Sequence, residues 1–208
     1  MFELNDELKI EKELFLGSII YTIDNFYKNP HEVHDYLFSN PPSLWKINER
    51  PSCNGLHFED RRLIKTDERL KNVIDFLSNL VSQKPSSYNI VTNQVRFNRH
   101  QFNDIDNCHW WPHTDHGYNG IVYFNEDSVN GTNIYYQINK QDMITEHYRP
   151  WRLKSDFEVL KHLEPRYNRL IFFDGYKFPH GMNIENKKYF SEEYRKNQVF
   201  FFVKCLIN

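Results

Sequence analysis

The sequence predicts a mainly β fold with flanking helices, in which a sheet or barrel is backed by a helical front. One observation is the aromatic content, because the 17 Phe and 13 Tyr residues favour strands over helices. The other is a change of texture beyond Pro85, where short strand-like runs are bounded by Gly, Asn, Asp or Pro. These runs are SYNIVTNQVRFNRH, GIVYFNED, GTNIYYQIN, NRLIFFDG and NQVFFFVKCLI.

The predicted helices lie in the first 87 residues. The segment GSIIYTIDNF predicts a strand, and Pro30 followed by HEVHDYLFS predicts a short helix, since proline is tolerated in a first helical turn. The clearest helix begins near Thr66, where TDERLKNVIDFLSNLVSQ carries apolar residues at spacings of three and four. Three prolines between residues 41 and 63 predict an irregular segment.

The length of 208 residues fits a single domain. Residues 1–87 are predicted to support a β core formed by residues 88–208, because no repeat or linker divides the chain. Residues 138–167 are predicted to form a polar insertion in that core. Within the insertion, SDFEVLKHL predicts a helical turn or two.

Charge and composition argue against several classes of function. The net charge of −2 gives no electrostatic footprint for duplex nucleic acid or an anionic membrane. No stretch approaches the ~18 apolar residues of a membrane span, and the N-terminus is acidic where a signal peptide is basic. The expectation is a cytoplasmic protein, with nucleic acid disfavoured as a partner.

The segment WWPHTDHGYNG contains His113 and Asp115, whose spacing of two puts both side chains on one face of an extended chain. A third ligand is offered by His180, which follows the apolar run RLIFF and a proline. Two imidazoles and one carboxylate on one side of a metal leave coordination positions open. This arrangement suits non-haem Fe(II).

The order HxD, distal His, then a basic residue on the last strand resembles the Fe(II)/2-oxoglutarate oxygenases, most closely their prolyl-hydroxylase-like branch. IVYFN is similar to that branch's aromatic strand after HxD, NGTNIYY to its GGxTxF turn, and RLIFF with PHG to its metal-histidine strand. The resemblance covers roughly residues 88–205. It implies a double-stranded β-helix, a barrel of the jelly-roll or cupin kind.

The resemblance also implies a set of cofactors and a reaction. His113, Asp115 and His180 would hold Fe(II), and 2-oxoglutarate and O2 would take the open positions. Arg195, fifteen residues after His180, matches the family's cation for the far carboxylate of 2-oxoglutarate, and Tyr123 matches its cosubstrate-binding tyrosine. Lys187 and Lys188 are rivals to Arg195. The activity that the resemblance implies is hydroxylation of a C–H bond of an amino acid, peptidyl or other small-molecule substrate, with release of succinate and CO2.

Several nearby residues have alternative interpretations. His109, His113 and His116 have the spacing of a zinc cluster on a helix, but Pro112 makes that helix unfavourable. Trp110 and Trp111 fit either a substrate pocket or ordinary packing. Trp151 and Arg152, in the insertion, fit either a lid over the site or a surface position.

Two other functions remain open at this point. The first is a non-catalytic or zinc-binding β-barrel module that keeps the architecture but binds a ligand or partner without oxidising it. The second is a nucleic-acid demethylase of the same superfamily, to which the run RKN is similar. Phe201 stands where those demethylases have a second arginine, which disfavours this interpretation.

Overall fold

The protein is mostly β-sheet with few helices in a computed structural model. The structure describes residues 1–47, 58–64, 68–82, 85–97, 107–126, 130–139, 151–185 and 193–203. The helices are α1 (Pro30–Phe38) and α2 (Lys71–Leu80). The strands are β1 (Lys9–Phe15), β2 (Ser18–Asp24), β3 (Lys46–Ile47), β4 (Phe58–Ile64), β5 (Ser87–Phe97), β6 (Cys108–Trp110), β7 (Gly117–Tyr123), β8 (Thr132–Gln137), β9 (Trp151–Leu153), β10 (Phe157–Leu163), β11 (Leu170–Asp174), β12 (His180–Met182) and β13 (Arg195–Val203).

Eight strands form the large sheet, in the order β1-β2-β11-β7-β13-β5-β4-β3. Strands from both parts of the chain join it, because β2 pairs with β11 and β4 pairs with β5. At its centre β13 lies antiparallel to both β5 and β7, with Asn197 opposite Asn93 on one side and Tyr123 on the other. This register decides which side chains share a face.

The small sheet has three strands in the order β10-β8-β12, and β6 pairs with β9 in a separate two-stranded ribbon. A backbone bridge between His113 and His180 links the segment after β6 to the edge strand β12. The described strands therefore form two sheets and a ribbon, and no closed barrel is found among them.

Two hydrophobic clusters lie on opposite faces of the large sheet. On one face the two helices cover a cluster that includes Val33, Leu77, Phe172 and Phe200. Amphipathic spacing explains the role of α2, since Val73, Ile74 and Leu77 fall on one face and are buried there. Among the described residues, no helix has both the length and the apolar character needed to cross a membrane.

The second cluster lies between the two sheets. It combines Ile121, Phe173 and Val199 of the large sheet with Ile134 of β8 and Leu163 of β10. Side chains alternate along a strand, so each central strand contributes to both clusters. The space between the sheets is only partly filled by this cluster, and the rest of it forms the site described below.

Most of the predicted elements are confirmed. The strand from GSIIYTIDNF is β2, the two predicted helices are α1 and α2, and the five runs beyond Pro85 correspond to β5, β7, β8, β11 and β13. A short 3-10 turn, Glu68–Leu70, precedes α2.

Two predictions are wrong in part. The segment from 41 to 63 is not irregular throughout, because its last residues belong to β4, which pairs along its length with β5. SDFEVLKHL gives a 3-10 turn, Lys154–Asp156, and then β10 instead of a helix. Both strands carry many charged residues, which hide the alternation that marks a strand.

Candidate metal centre

The three predicted ligands come together at the edge of the small sheet. One ligand atom from each of His113, Asp115 and His180 lies within 4.8 Å of the others. Backbone hydrogen bonds hold the segments in place, since His113 and His180 exchange bonds of 2.9 and 2.8 Å and the Asp115 amide donates to the Gly175 carbonyl at 2.9 Å. The spacing of two in HxD thus puts both ligands on the side that faces His180.

Each imidazole is oriented by a main-chain carbonyl. His113 Nδ1 lies 2.7 Å from the Trp111 oxygen, and His180 Nδ1 lies 2.8 Å from the Phe178 oxygen. Because a carbonyl oxygen can only accept, each Nδ1 carries the hydrogen and each Nε2 is left with its lone pair for a metal. This fixed tautomer is the usual outer arrangement around a metal-binding histidine.

The ligand atoms converge as acceptors. Oδ2 of Asp115 lies 3.1 Å from Nε2 of His180 and 3.7 Å from Nε2 of His113. Burial raises the pKa of Asp115, but the contacts with His180 and Asn119, and the positive charge that either imidazole carries when it is protonated, outweigh burial, so the pKa is lowered overall. The carboxylate oxygen and the two Nε2 lone pairs are all electron donors. A cation between them, either a proton or a metal ion, would therefore stabilise the arrangement.

Asn119 is the polar neighbour that sequence reasoning did not identify. Its Nδ2 donates to Oδ2 of Asp115 and lies 3.0 Å from Nε2 of His180. It reaches this position because Gly175 has no side chain, as a Cβ there would lie 2.6 Å from the same Nδ2. Asn119 is therefore placed to orient the Asp115 carboxylate.

Trp111 has an unusual backbone conformation beside the ligands. Its φ of 45° lies in the left-handed region, which is unfavourable for a bulky residue. In this conformation its carbonyl accepts the bond from His113, and its backbone lies against Gly181, where an added Cβ would be 3.0 Å from the Trp111 oxygen. The unfavourable backbone conformation of Trp111 thus places the carbonyl that orients the His113 ring.

The ligands open onto a cavity of about 550 Å³ between the two sheets. Its inner wall belongs to the large sheet, through Asn93 of β5 and Asn197 of β13. Trp110, Trp111, His116 and Met182 also line it, beside the metal ligands. The predicted pocket role of the two tryptophans thus has a structural basis, since both border the cavity.

Arg195 lines the same cavity and is 6% exposed. Its Nε donates to the Asn130 carbonyl at 2.8 Å and its Nη2 to the Gly131 carbonyl at 3.3 Å. Burial lowers the pKa of Arg195, and no carboxylate of the described residues offsets the burial. A buried guanidinium whose charge is not neutralised favours an anionic ligand.

Tyr123 lies beneath Arg195, and its side chain does not line the cavity. The guanidinium carbon is 5.4 Å from the centre of the Tyr123 ring, and the hydroxyl is 2.8 Å from Oγ1 of Thr132. Burial raises the pKa of Tyr123, although the charge of Arg195 opposes this rise. The ring supports the arginine, and the hydroxyl already has a partner.

His109 and Arg152, which the sequence also singled out, do not line the cavity. The ring of His109 packs 4.7 Å from that of Tyr135, and Arg152 lies over the ring of Phe157 at 5.7 Å. Lys187 and Lys188, the rivals to Arg195, fall outside the described residues. The absence of a helix at Pro112 agrees with the rejection of a helical zinc cluster.

Comparisons with known proteins find likenesses among solved structures. No family model matches this chain, and no curated protein matches it. The chain is similar to a crystal structure of an oxidoreductase of the 2OG-Fe(II) oxygenase family from Burkholderia pseudomallei. The likeness covers 86% of this chain and 80% of that chain, with 11% sequence identity and a TM-score of 0.45.

Proposed function

We propose that this protein is a non-haem Fe(II)/2-oxoglutarate-dependent dioxygenase that hydroxylates a C–H bond of an amino acid, peptidyl or other small substrate. His113, Asp115 and His180 would hold Fe(II). The observation that carries the proposal is the convergence of two imidazole lone pairs and one ionised carboxylate on a cavity. Two histidines and one carboxylate are the donor set that suits Fe(II) with open positions.

The buried cation in the same cavity supports the cosubstrate. Arg195 lies in the wall that the metal ligands face, and its charge is not balanced by described residues. A guanidinium can hold a carboxylate through two parallel hydrogen bonds. We propose that it binds the far carboxylate of 2-oxoglutarate, with Tyr123 holding the guanidinium from below.

The topology supports the proposed double-stranded β-helix of the prolyl-hydroxylase-like branch. In the chain, β5, β7, β11 and β13 join the large sheet, whereas β8, β10 and β12 form the small one. From β10 to β13 the strands alternate between the two sheets, with the site between them, as expected of a jelly roll.

With Fe(II), 2-oxoglutarate and O2 bound, the centre would supply oxidative decarboxylation of the cosubstrate to succinate and CO2, coupled to hydroxylation of the substrate. The protein's own contribution is positioning. The Trp111 and Phe178 carbonyls fix the two imidazoles, and Asn119 orients the carboxylate. Trp110 and Trp111, which border the cavity beside the ligands, are proposed to contact the primary substrate.

An anaerobic titration of the metal-free protein with Fe(II) and 2-oxoglutarate tests the proposal. Chelation of 2-oxoglutarate by bound iron gives a weak visible charge-transfer band. We expect this band in the wild type and its loss in His180→Ala. The matched control is His31→Ala, because His31 lies on α1, far along the chain from the ligands, and contacts Tyr167 instead of the site.

The alternative outcomes separate the rival functions. Tight zinc binding without any band on addition of 2-oxoglutarate would favour the non-catalytic binding module. A band together with salt-sensitive binding of single-stranded nucleic acid would favour the demethylase. A band that persists in His180→Ala would contradict the assignment of the iron ligands.

A further inference from the structure

Asn130 and Gly131, which form a bend immediately before β8, hold the Arg195 side chain through their backbone carbonyls. Nε of Arg195 donates to the Asn130 carbonyl at 2.8 Å, and Nη2 donates to the Gly131 carbonyl at 3.3 Å. Because the guanidinium is planar, two hydrogen bonds along one side fix its plane and the direction in which its other side faces. The bend before β8 therefore decides how Arg195 is presented to the cavity that it lines.

The conformation of the bend depends on the identity of both residues. Asn130 has a φ of 66°, in the left-handed region that asparagine adopts more readily than most residues. At Gly131 there is no room for a side chain, because a Cβ there would lie 2.1 Å from the Leu163 carbonyl oxygen and 2.7 Å from Cδ of Pro165. The two residue types thus allow the backbone course that brings both carbonyls to Arg195.

The Asn130 side chain joins the bend to the segment that follows β12. Its Oδ1 accepts a 2.6 Å hydrogen bond from the Glu185 backbone amide, and Asn130 is 1% exposed. The Gly131 carbonyl accepts a second bond, 3.0 Å long, from the Asn183 amide. Since β12 begins at the metal ligand His180, the same bend is bonded both to the strand of a metal ligand and to Arg195.

We propose that Asn130 is a positioning residue, which holds the Arg195 guanidinium in the orientation that binds an anionic cosubstrate. This inference rests on the proposed function. Asn130 itself does not line the cavity, so it acts through Arg195 and not by contact with a ligand. Loss of its side-chain bond to Glu185 leaves the bend less firmly held, and with it the carbonyls that fix the guanidinium.

Asn168 has the same local features as Asn130 in another part of the molecule. Its φ is 59°, it is 6% exposed, and its Oδ1 accepts a 2.8 Å hydrogen bond from the Tyr27 backbone amide. Tyr27 belongs to the cluster on the helix-covered face, and Asn168 does not line the cavity. The pair therefore separates the effect of a buried asparagine in this conformation from an effect on Arg195.

The test compares two 2-oxo acids in the full chain loaded with Fe(II) under anaerobic conditions, with the visible charge-transfer band as the measure of binding. 2-Oxobutanoate lacks the far carboxylate of 2-oxoglutarate, so it lacks the group that Arg195 would bind. Asn130→Gly keeps the left-handed backbone but removes the bond to Glu185, and it is expected to weaken 2-oxoglutarate binding about 2- to 10-fold, the range for one neutral hydrogen bond. The affinity for 2-oxobutanoate is expected to be unchanged.

Two further variants sharpen the comparison. Asn130→Ala removes the same bond and also disfavours the left-handed backbone, so its loss of 2-oxoglutarate affinity is expected to exceed that of Asn130→Gly. Asn168→Gly is the matched control. It is expected to lower the free energy of unfolding in urea, because the bond to Tyr27 is lost, but to leave the ratio of the two affinities at the wild-type value.

The outcomes distinguish this inference from the proposed function. Wild-type protein that binds Fe(II) but shows no band with either 2-oxo acid would overturn both. A normal wild-type band together with unchanged 2-oxoglutarate affinity in Asn130→Gly would overturn the inference and leave the oxygenase assignment standing. Equal weakening of the two 2-oxo acids in Asn130→Gly, or the same change of their ratio in Asn168→Gly, would also overturn it, because Asn130 would then support the fold in general and not Arg195.

Discussion

The hydrogen bonding of buried polar side chains differs between the two faces of the large sheet. On the face covered by helices, Gln198 is 1% exposed and its oxygen accepts a 2.6 Å hydrogen bond from the Tyr27 hydroxyl. On the cavity face, the adjacent residue Asn197 is almost as buried, but its side-chain oxygen has no hydrogen-bonding partner among the described residues. One face is completed by the fold itself. The other borders the cavity and leaves this polar atom unpaired.

This difference teaches how one strand serves two purposes. Side chains of β13 point alternately to the two faces, so stability and binding depend on adjacent residues. Burial alone does not distinguish the two faces, since residues on both are buried. Their hydrogen bonds differ, because the side-chain oxygen of Gln198 has a partner and that of Asn197 has none among the described residues.

The largest effect is expected at the metal. Asp115→Ala removes the only carboxylate of the ligand set, and turnover-linked succinate is expected to fall by more than about 100-fold, since loss of a group that merely supports a ligand already has an effect of about 10–100-fold. Succinate is measured with 2-oxoglutarate, Fe(II) and O2 supplied. Asp35→Ala, an exposed carboxylate on α1, is the control. Unchanged succinate from a well-folded Asp115→Ala protein would refute the metal centre.

The helix-covered face is expected to dominate stability. Phe200 is fully buried in the helix-side cluster, and Phe200→Ala is expected to lower the free energy of unfolding by about 3–5 kcal/mol. The adjacent Phe201 is only partly buried and borders the cavity, so Phe201→Ala is expected to have a smaller effect. Urea denaturation of both variants measures the difference. Equal losses would mean that the two faces are packed alike.

The sequence predicts the central part of the fold well and its edges poorly. Strands such as β7, β11 and β13 are apolar runs bounded by turn residues, so their pattern is visible locally. β4 and β10 depend on backbone pairing with a neighbour that is distant in sequence, and their charged residues give no alternation. Such strands become recognisable only when their partners are known.

The residues of the site also differ in how well the sequence predicts them. The convergence of His113, Asp115 and His180 was predictable, because their residue types and order are characteristic of a metal centre. Nothing in the sequence identifies Asn119 or Asn93 as a residue of the site. Asparagine is common in turns, and the neighbouring residues do not predict which side chains these asparagines contact. Asn197 could have been found, because a spacing of two from Arg195 puts both on one face of a strand.

Substitution of Asn119 tests whether a polar side chain of the cavity face positions the metal ligands. Asn119→Leu keeps the approximate volume of the side chain but removes the donor to Asp115, and metal affinity is expected to fall about 10–100-fold. Competition between the protein and a chelator for Co(II) measures this affinity. Asn125→Leu is the control, because Asn125 bonds to the Tyr194 carbonyl away from the metal. Equal Co(II) affinities in wild type and Asn119→Leu would mean that Asp115 is held by the backbone alone.

The smallest expected effect is also the most direct comparison of the two faces. Gln198→Leu leaves the buried Tyr27 hydroxyl without its acceptor, so the free energy of unfolding is expected to fall by about 1–3 kcal/mol. Asn197→Leu, one residue away along β13, removes an enclosed oxygen that has no partner. The free energy of unfolding is therefore expected to stay the same or to rise by up to about 1 kcal/mol. Urea denaturation of the two variants without ligand compares them. Similar destabilisation by both substitutions would mean that Asn197 contributes to stability as much as Gln198 does, although its side-chain oxygen is unpaired.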